Sequence, residues 1–121
     1  MTLFTCSYRA WREEMGVPVR TSVGAPRSFG APLVEWPVTY PVGLLEVADP
    51  IEFRRRYRHL LHRKTPRILA ELEELQEGYA PLAVVLLCFE PAGTFCHRTL
   101  LGEWITERTG LEVPELGGDL R

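Results

Sequence analysis

With 121 residues, the chain is long enough for one domain with one core and too short for two. Hydrophobic residues make up 45% and charged residues 25%, values that exclude a disordered chain. A net charge of −2 excludes a global electrostatic pull toward nucleic acid or an anionic membrane. The opening residues, from Met1 to Cys6, lack a charged n-region and a long apolar h-region. The longest apolar run, residues 80–89, is about half of what a spanning helix needs. A cytoplasmic protein with no membrane partner is therefore expected. Its three cysteines, Cys6, Cys88 and Cys96, are an odd count without a leader, so they are read as reduced thiols rather than as a disulfide framework.

In chain order, residues 3–8 are apolar and β-prone and predict a first strand. Trp11 and Met15, four apart, predict a single helical turn, and residues 17–22 a second strand. Residues 23–37, with Gly24, Pro26, Gly30, Pro32 and Pro37, predict an irregular loop, and residues 38–45 a short extended piece. Asp49 then reads as a helix N-cap, with Pro50 in the first turn and Glu52 three residues after the cap, a capping-box pattern. Phe53, Tyr57, Leu60 and Leu61 fall on one face of that helix. A second helix starts at Thr65-Pro66, carries the stripe Ile68, Leu69, Leu72 and Leu75, and has Gly78 as its C′ residue. The apolar run ending at Phe89 predicts a central strand buried on both faces. A third helix over residues 96–109 buries Leu100, Leu101, Trp104 and Ile105 and stops at Gly110. Residues 111–113 predict a last short strand, and residues 115–121 a loose tail. The whole chain, 1–121, is read as a single α/β domain.

Alternating strands and helices imply a mainly parallel sheet covered on both faces, and ligands bind beyond the carboxyl ends of such strands. The groups that follow the strands should converge there: Thr5, Cys6 and Ser7, then Arg20, Thr21 and Ser22, then Cys88 and Glu90. The densest chemistry is Cys88-Phe89-Glu90, closing a buried strand, followed by Cys96-His97-Arg98, opening a helix. A helix N-terminus with free N–H groups favours anions. Arg98 can grip a phosphate or carboxylate with two parallel bonds, and Cys96 at that position gains thiolate character. Each residue also has a structural reading. Cys88 can be a small buried hydrophobe, Cys96 and His97 can cap the helix, and Glu90 and Arg98 can form an ion pair that fixes the loop. Cys88, Cys96 and His97 offer zinc-type donors, but no C-x-x-C pair accompanies them and neighbouring Cys-His ligands are awkward, so no metal is expected.

The pair Cys88-Phe89-Glu90 and Cys96-His97-Arg98 resembles the C-x-E strand end and C-H-R helix start of the domain of unknown function numbered 488. Pro18-Val19-Arg20-Thr21-Ser22, with Pro26-Arg27-Ser28 beyond it, resembles that family's D-V-R-S-x-P stretch, with Pro18 in place of the Asp. Thr5-Cys6-Ser7-Tyr8 is similar to its T-x-G-x-S opening, with the glycine and the serine spacing different. The resemblance implies a Rossmann-like three-layer α/β sandwich, with a central sheet of about four to five strands, and no established activity.

Three functions follow. One is a site for a small anionic or nucleotide-like ligand at the strand ends. There Arg98, His97, Cys88, Arg20, Arg27, Thr5 and Ser7 would bind, and Glu90 or Cys96 would act as base or nucleophile. The second is a nucleic-acid accessory surface on the basic helix of residues 54–67, through Arg54, Arg55, Arg58 and Arg63; the opposing reading is a solvated face balanced by Glu71, Glu73, Glu74 and Glu77. The third is a protein-interaction module without chemistry. No cofactor motif is present, and the sequence sets no oligomeric state.

Overall fold

The computed structural model describes residues 2–89 and 96–117. Four strands, β1 (Leu3–Ser7), β2 (Val17–Arg20), β3 (Val34–Glu35) and β4 (Val84–Cys88), form an all-parallel sheet in the order β1-β4-β2-β3. Three α-helices accompany it: α1 (Pro50–Arg63), α2 (Thr65–Tyr79) and α3 (His97–Thr109). The chain is thus an α/β protein of Rossmann-like type, as expected.

β4 is the centre of the sheet because its sequence suits burial on both faces: all five of its residues are buried. Leu3 of β1 and Val17 of β2 flank Val84, while Thr5 and Val19 flank Leu86. This row faces the helices and packs with Tyr57, Leu61, Ile68, Leu72, Leu101 and Trp104. The alternate row, Cys6, Val85 and Leu87, faces the other way. There the cover is the 3-10 turn at Glu13–Met15 and its surroundings, with Trp11, Met15, Phe29 and Leu33, rather than an α-helix. Each fully buried aliphatic of β4 contributes about 1.5–3 kcal/mol.

The helix signals translate into real caps. The Asp49 side chain accepts a hydrogen bond from the Ile51 N–H, and Pro50 follows it. The capping box expected at Glu52 does not close, because Arg55 and Arg56 take its carboxylate. Gly110 ends α3 at φ 79°, its N–H bonded to the Thr106 carbonyl, a conformation that suits glycine.

Several local expectations are corrected. The 23–37 loop contains β3, which pairs with β2 through Val19↔Val34 and Arg20↔Glu35; two residues are too few to show a period. Residues 38–45 are not extended, and a 3-10 turn covers Pro37–Thr39. Gly78 is not a C′ residue, since α2 continues to Tyr79 and is capped at Ala80. Residues 111–113 form no strand; the chain instead makes a parallel bridge between Thr5 and Glu115. Ordered structure therefore includes Glu115, expected at the head of a loose tail. Among the described residues no helix is long and apolar enough to cross a membrane.

Gly16 makes the turn into β2 possible. It adopts φ 132°, and a Cβ there would lie 2.5 Å from the Ala83 carbonyl oxygen. That oxygen also accepts the Val17 N–H at 2.8 Å, so the two backbones cannot separate without breaking the ladder. Gly16→Ala is expected to lower unfolding free energy by about 3 kcal/mol, read by urea denaturation. A loss under about 0.5 kcal/mol would show that the contact does not constrain this entry.

Candidate functional site

The carboxyl ends of β2 and β4 open onto a cavity of 390 Å³, within the usual size for a small-molecule site. Val23, Pro41, Val47, Phe53 and Phe89 supply apolar walls, and Ser22, Cys96 and His97 supply polar groups. Its position follows from the fold: Ser22 comes just after β2, Phe89 just after β4, and Cys96-His97 begins α3.

His97 is held on two sides. Its Nε2 is 2.8 Å from the Thr21 carbonyl, which can only accept, so Nε2 carries the proton and Nδ1 the lone pair. Thr21 is itself fixed by donating its hydroxyl to the Leu87 carbonyl at 2.8 Å. The edge of the Tyr57 ring meets the His97 ring at 5.6 Å, and the Tyr57 hydroxyl donates to the Thr39 carbonyl. Burial lowers the His97 pKa to about 4, against a small opposing effect of the Thr21 carbonyl, and Arg98 lowers it further. His97 is therefore neutral at pH 7.

Cys88 and Cys96 are joined by a disulfide. The expectation of three reduced thiols is corrected here: Cys6 alone is free, and it is buried. The sequence separation of 8 hides the pairing, because proximity arises only when β4 and the start of α3 come together. Burial pushes the Cys6 thiol upward, Glu115 adds to this and Arg98 opposes it; Cys6 is a core thiol on the face opposite the helices.

Arg98 is buried to 1% exposure. Its Nε and Nη2 donate to the two oxygens of Glu115 at 3.1 and 2.7 Å, and Nη1 donates to Cys88 Sγ at 3.3 Å. The Thr5 hydroxyl donates to Glu115 Oε1. Arg98 is thus paired with Glu115, a partner 17 residues away that no motif announced. Glu90, the expected partner and candidate base, lies outside the described residues.

The remaining candidates separate. Arg20 crosses the Tyr40 ring at 4.9 Å, pairs with Glu35 at 3.6 Å and donates to the Ser22 and Val23 carbonyls. It shapes the cavity wall rather than lining it. Arg27 is exposed on the loop. Thr5 lines a different hollow with Glu115, Thr99 and Gly102, and Ser7 accepts the Ala10 N–H. On α1, Arg54 pairs with Glu103, Arg58 with Glu107, and Arg55 and Arg56 with Glu52. The balancing carboxylates come from α1 and α3, and only Arg67 uses one of the expected set, Glu71. Arg63 is exposed near the end of α1.

A family model, DUF488-N3a, described as the active DUF488-N3 subclade, matches residues 46–109. Neither a curated protein nor a solved structure matches the chain. The matched segment covers over half of the sequence and contains Cys88, Cys96, His97 and Arg98.

Two outcomes follow. Removing Glu115 leaves a buried guanidinium uncompensated, so Glu115→Ala should destabilise by about 3 kcal/mol, while Arg98→Met with Glu115→Leu should recover most of the loss. Calorimetric melting of the wild type and the two variants checks this, and a double variant no more stable than Glu115→Ala would refute it. For His97, the unfolded pKa is about 6.5 and the folded value about 4. The unfolded chain therefore takes up the extra proton between these values. Stability from this source is complete above about pH 6.5 and declines as pH falls toward 4. From pH 6.5 to 4.5 the wild type should lose about 2 kcal/mol more than His97→Gln. Parallel slopes in urea titrations would show that His97 titrates normally.

Proposed function

Because the chain belongs to the DUF488 family, in the subclade described as active, we propose that it is a small-ligand-binding α/β domain whose Cys96 and His97 face the bound molecule. The observation that carries this reading is the 390 Å³ cavity at the carboxyl edge of the parallel sheet, lined by both residues. Its chemistry suggests the ligand class. Arg98 is taken by Glu115 and Arg20 by Glu35 and two carbonyls, so neither offers a free cation to a polyphosphate. The walls include the rings of Phe53 and Phe89. A nucleoside-like or mononucleotide-like molecule fits: an apolar ring between the aromatic walls, and hydroxyls or one anionic group toward Ser22, His97 and the N-terminus of α3. Neutral His97 would exchange hydrogen bonds with it, not a formal charge. The pairing of Arg54, Arg55, Arg56 and Arg58 within the chain favours this reading over the nucleic-acid surface.

The test is a thermal-shift panel of nucleosides, mononucleotides, sugar phosphates and inorganic phosphate on the wild type and Ala48→Trp. Ala48 lines the cavity from an exposed position, so the indole fills the cavity without entering the core. A ligand at 100 times its dissociation constant adds about 2.7 kcal/mol, which raises the melting temperature by roughly 10 °C in a domain of this size. The expected result is a shift by a nucleoside-type compound in the wild type and not in Ala48→Trp. Equal shifts in both proteins, or none across the panel, would reject the cavity as the site.

A further inference from the structure

We propose that reduction of the Cys88–Cys96 bridge converts Cys88, Cys96 and His97 into a three-ligand site for a thiophilic divalent cation, of which zinc is the type. The proposal stands on the cluster itself and goes beyond the ligand reading above. All three residues are buried, and one donor atom from each lies within 4.8 Å of the others. Donors around a tetrahedral zinc with bonds of 2.0–2.3 Å stand roughly 3.5 Å apart, so small side-chain rotations suffice. The adjacent Cys96-His97 pair, awkward by spacing alone, is workable here because Cys96 Sγ and His97 Nδ1 already approach to 4.0 Å.

Independent support comes from the other side of the imidazole. His97 donates its Nε2–H to the Thr21 carbonyl, and Thr21 is anchored to β4. Metal-binding histidines are typically held this way, with the far nitrogen bonded to a carbonyl so that the near nitrogen presents its lone pair. Here that leaves Nδ1 with its lone pair, 4.0 Å from Cys96 Sγ. The charges also close. Two buried thiolates would add two negative charges beside the Arg98–Glu115 pair, burial makes such charges costly, and a dication cancels them. The Arg98 Nη1 contact to Cys88 Sγ and the position of Cys96 at the start of α3 both favour thiolate. Two sulfurs and one imidazole select zinc over magnesium or calcium. Cys96 and His97 also line the cavity, so the fourth coordination position opens toward it. Three protein ligands with an open position form the pattern of a catalytic rather than a closed structural zinc site.

The chemistry balances. A dithiol or phosphine reductant delivers two electrons, and with two protons the S–S bond becomes two thiols. A dithiol supplies the protons and leaves as its disulfide; a phosphine takes the oxygen of one water, whose two protons complete the thiols, and leaves as its oxide. Zinc then binds as both thiols release their protons to solvent.

The test uses the full chain, reduced with a phosphine and freed of it, titrated with zinc against a chromogenic chelator. One ion per chain is expected, with affinity at least 100-fold weaker in Cys96→Ser and His97→Gln and unchanged in Cys6→Ser. The bridged protein should bind none. His97→Gln keeps a donor for the Thr21 carbonyl, which guards its fold. Cobalt(II) on the reduced wild type needs no variant and should show thiolate-to-metal charge transfer with tetrahedral ligand-field bands. Absence of those bands, no stoichiometric zinc, or binding that survives in His97→Gln or in the bridged protein would overturn the proposal.

Discussion

A guanidinium withdrawn from water must find its partners inside the protein, and Arg98 organises much of this molecule by doing so. Two of its nitrogens grip Glu115, which ties the end of the described chain to β1 through Thr5. A third reaches Cys88 at the end of β4. One side chain at the start of α3 therefore joins the central strand, the edge strand and the C-terminal segment. Glu115 holds this charge in an ion pair, so of the C-H-R triplet Cys96 and His97 line the cavity and Arg98 turns inward.

The neighbouring cavity takes its character from that arrangement. Its walls are largely apolar, and its polar edge is neutral: a serine hydroxyl, a cysteine sulfur and an imidazole kept uncharged by burial. Arg20 lies close by, yet its donors hold the carbonyls of Ser22 and Val23 and so fix the cavity wall. A site of this kind discriminates by shape and by hydrogen bonds more than by charge. At the rim beside it, Arg98 donates to Cys88 Sγ at 3.3 Å.

The parts of the fold legible in the sequence are those with strong periodicity or punctuation. β4 announced itself by an unbroken apolar run, α1 by Asp49-Pro50 and its stripe, and α3 by its stripe and Gly110. The strand-end rule names Thr5, Cys6, Ser7, Arg20, Thr21, Ser22, Cys88 and Glu90; of these Ser22 lines the cavity, beside Cys96 and His97 at the start of α3, while Thr5 lines a different hollow. What escaped was non-local. β3 has two residues and exists only because β2 lends it an edge. Trp36, in a segment that reads as loop, is buried in the main core, where its indole donates to Glu71 of α2. Glu115 carries no signal of its own, since its value comes from a guanidinium 17 positions earlier. Cysteine counting argues against the Cys88–Cys96 pairing, whereas the deciding fact is that a strand end and a helix start share one corner.

The boundaries of the family match sharpen this point. Residues 46–109 contain both cysteines, His97 and Arg98, but not the groups that set their state. Thr21 fixes the His97 tautomer from the end of β2, and Glu115 neutralises Arg98 from beyond α3. The matched segment alone would leave an imidazole with either nitrogen protonated and a guanidinium free to bind anions. The flanking segments change that chemistry: they place the imidazole lone pair on Nδ1, beside Cys96 Sγ, and pair the guanidinium. Cys88, Cys96, His97 and Arg98 thus belong to the matched unit, while their tautomer and ion pairing are set by the end of β2 and by the C-terminal segment.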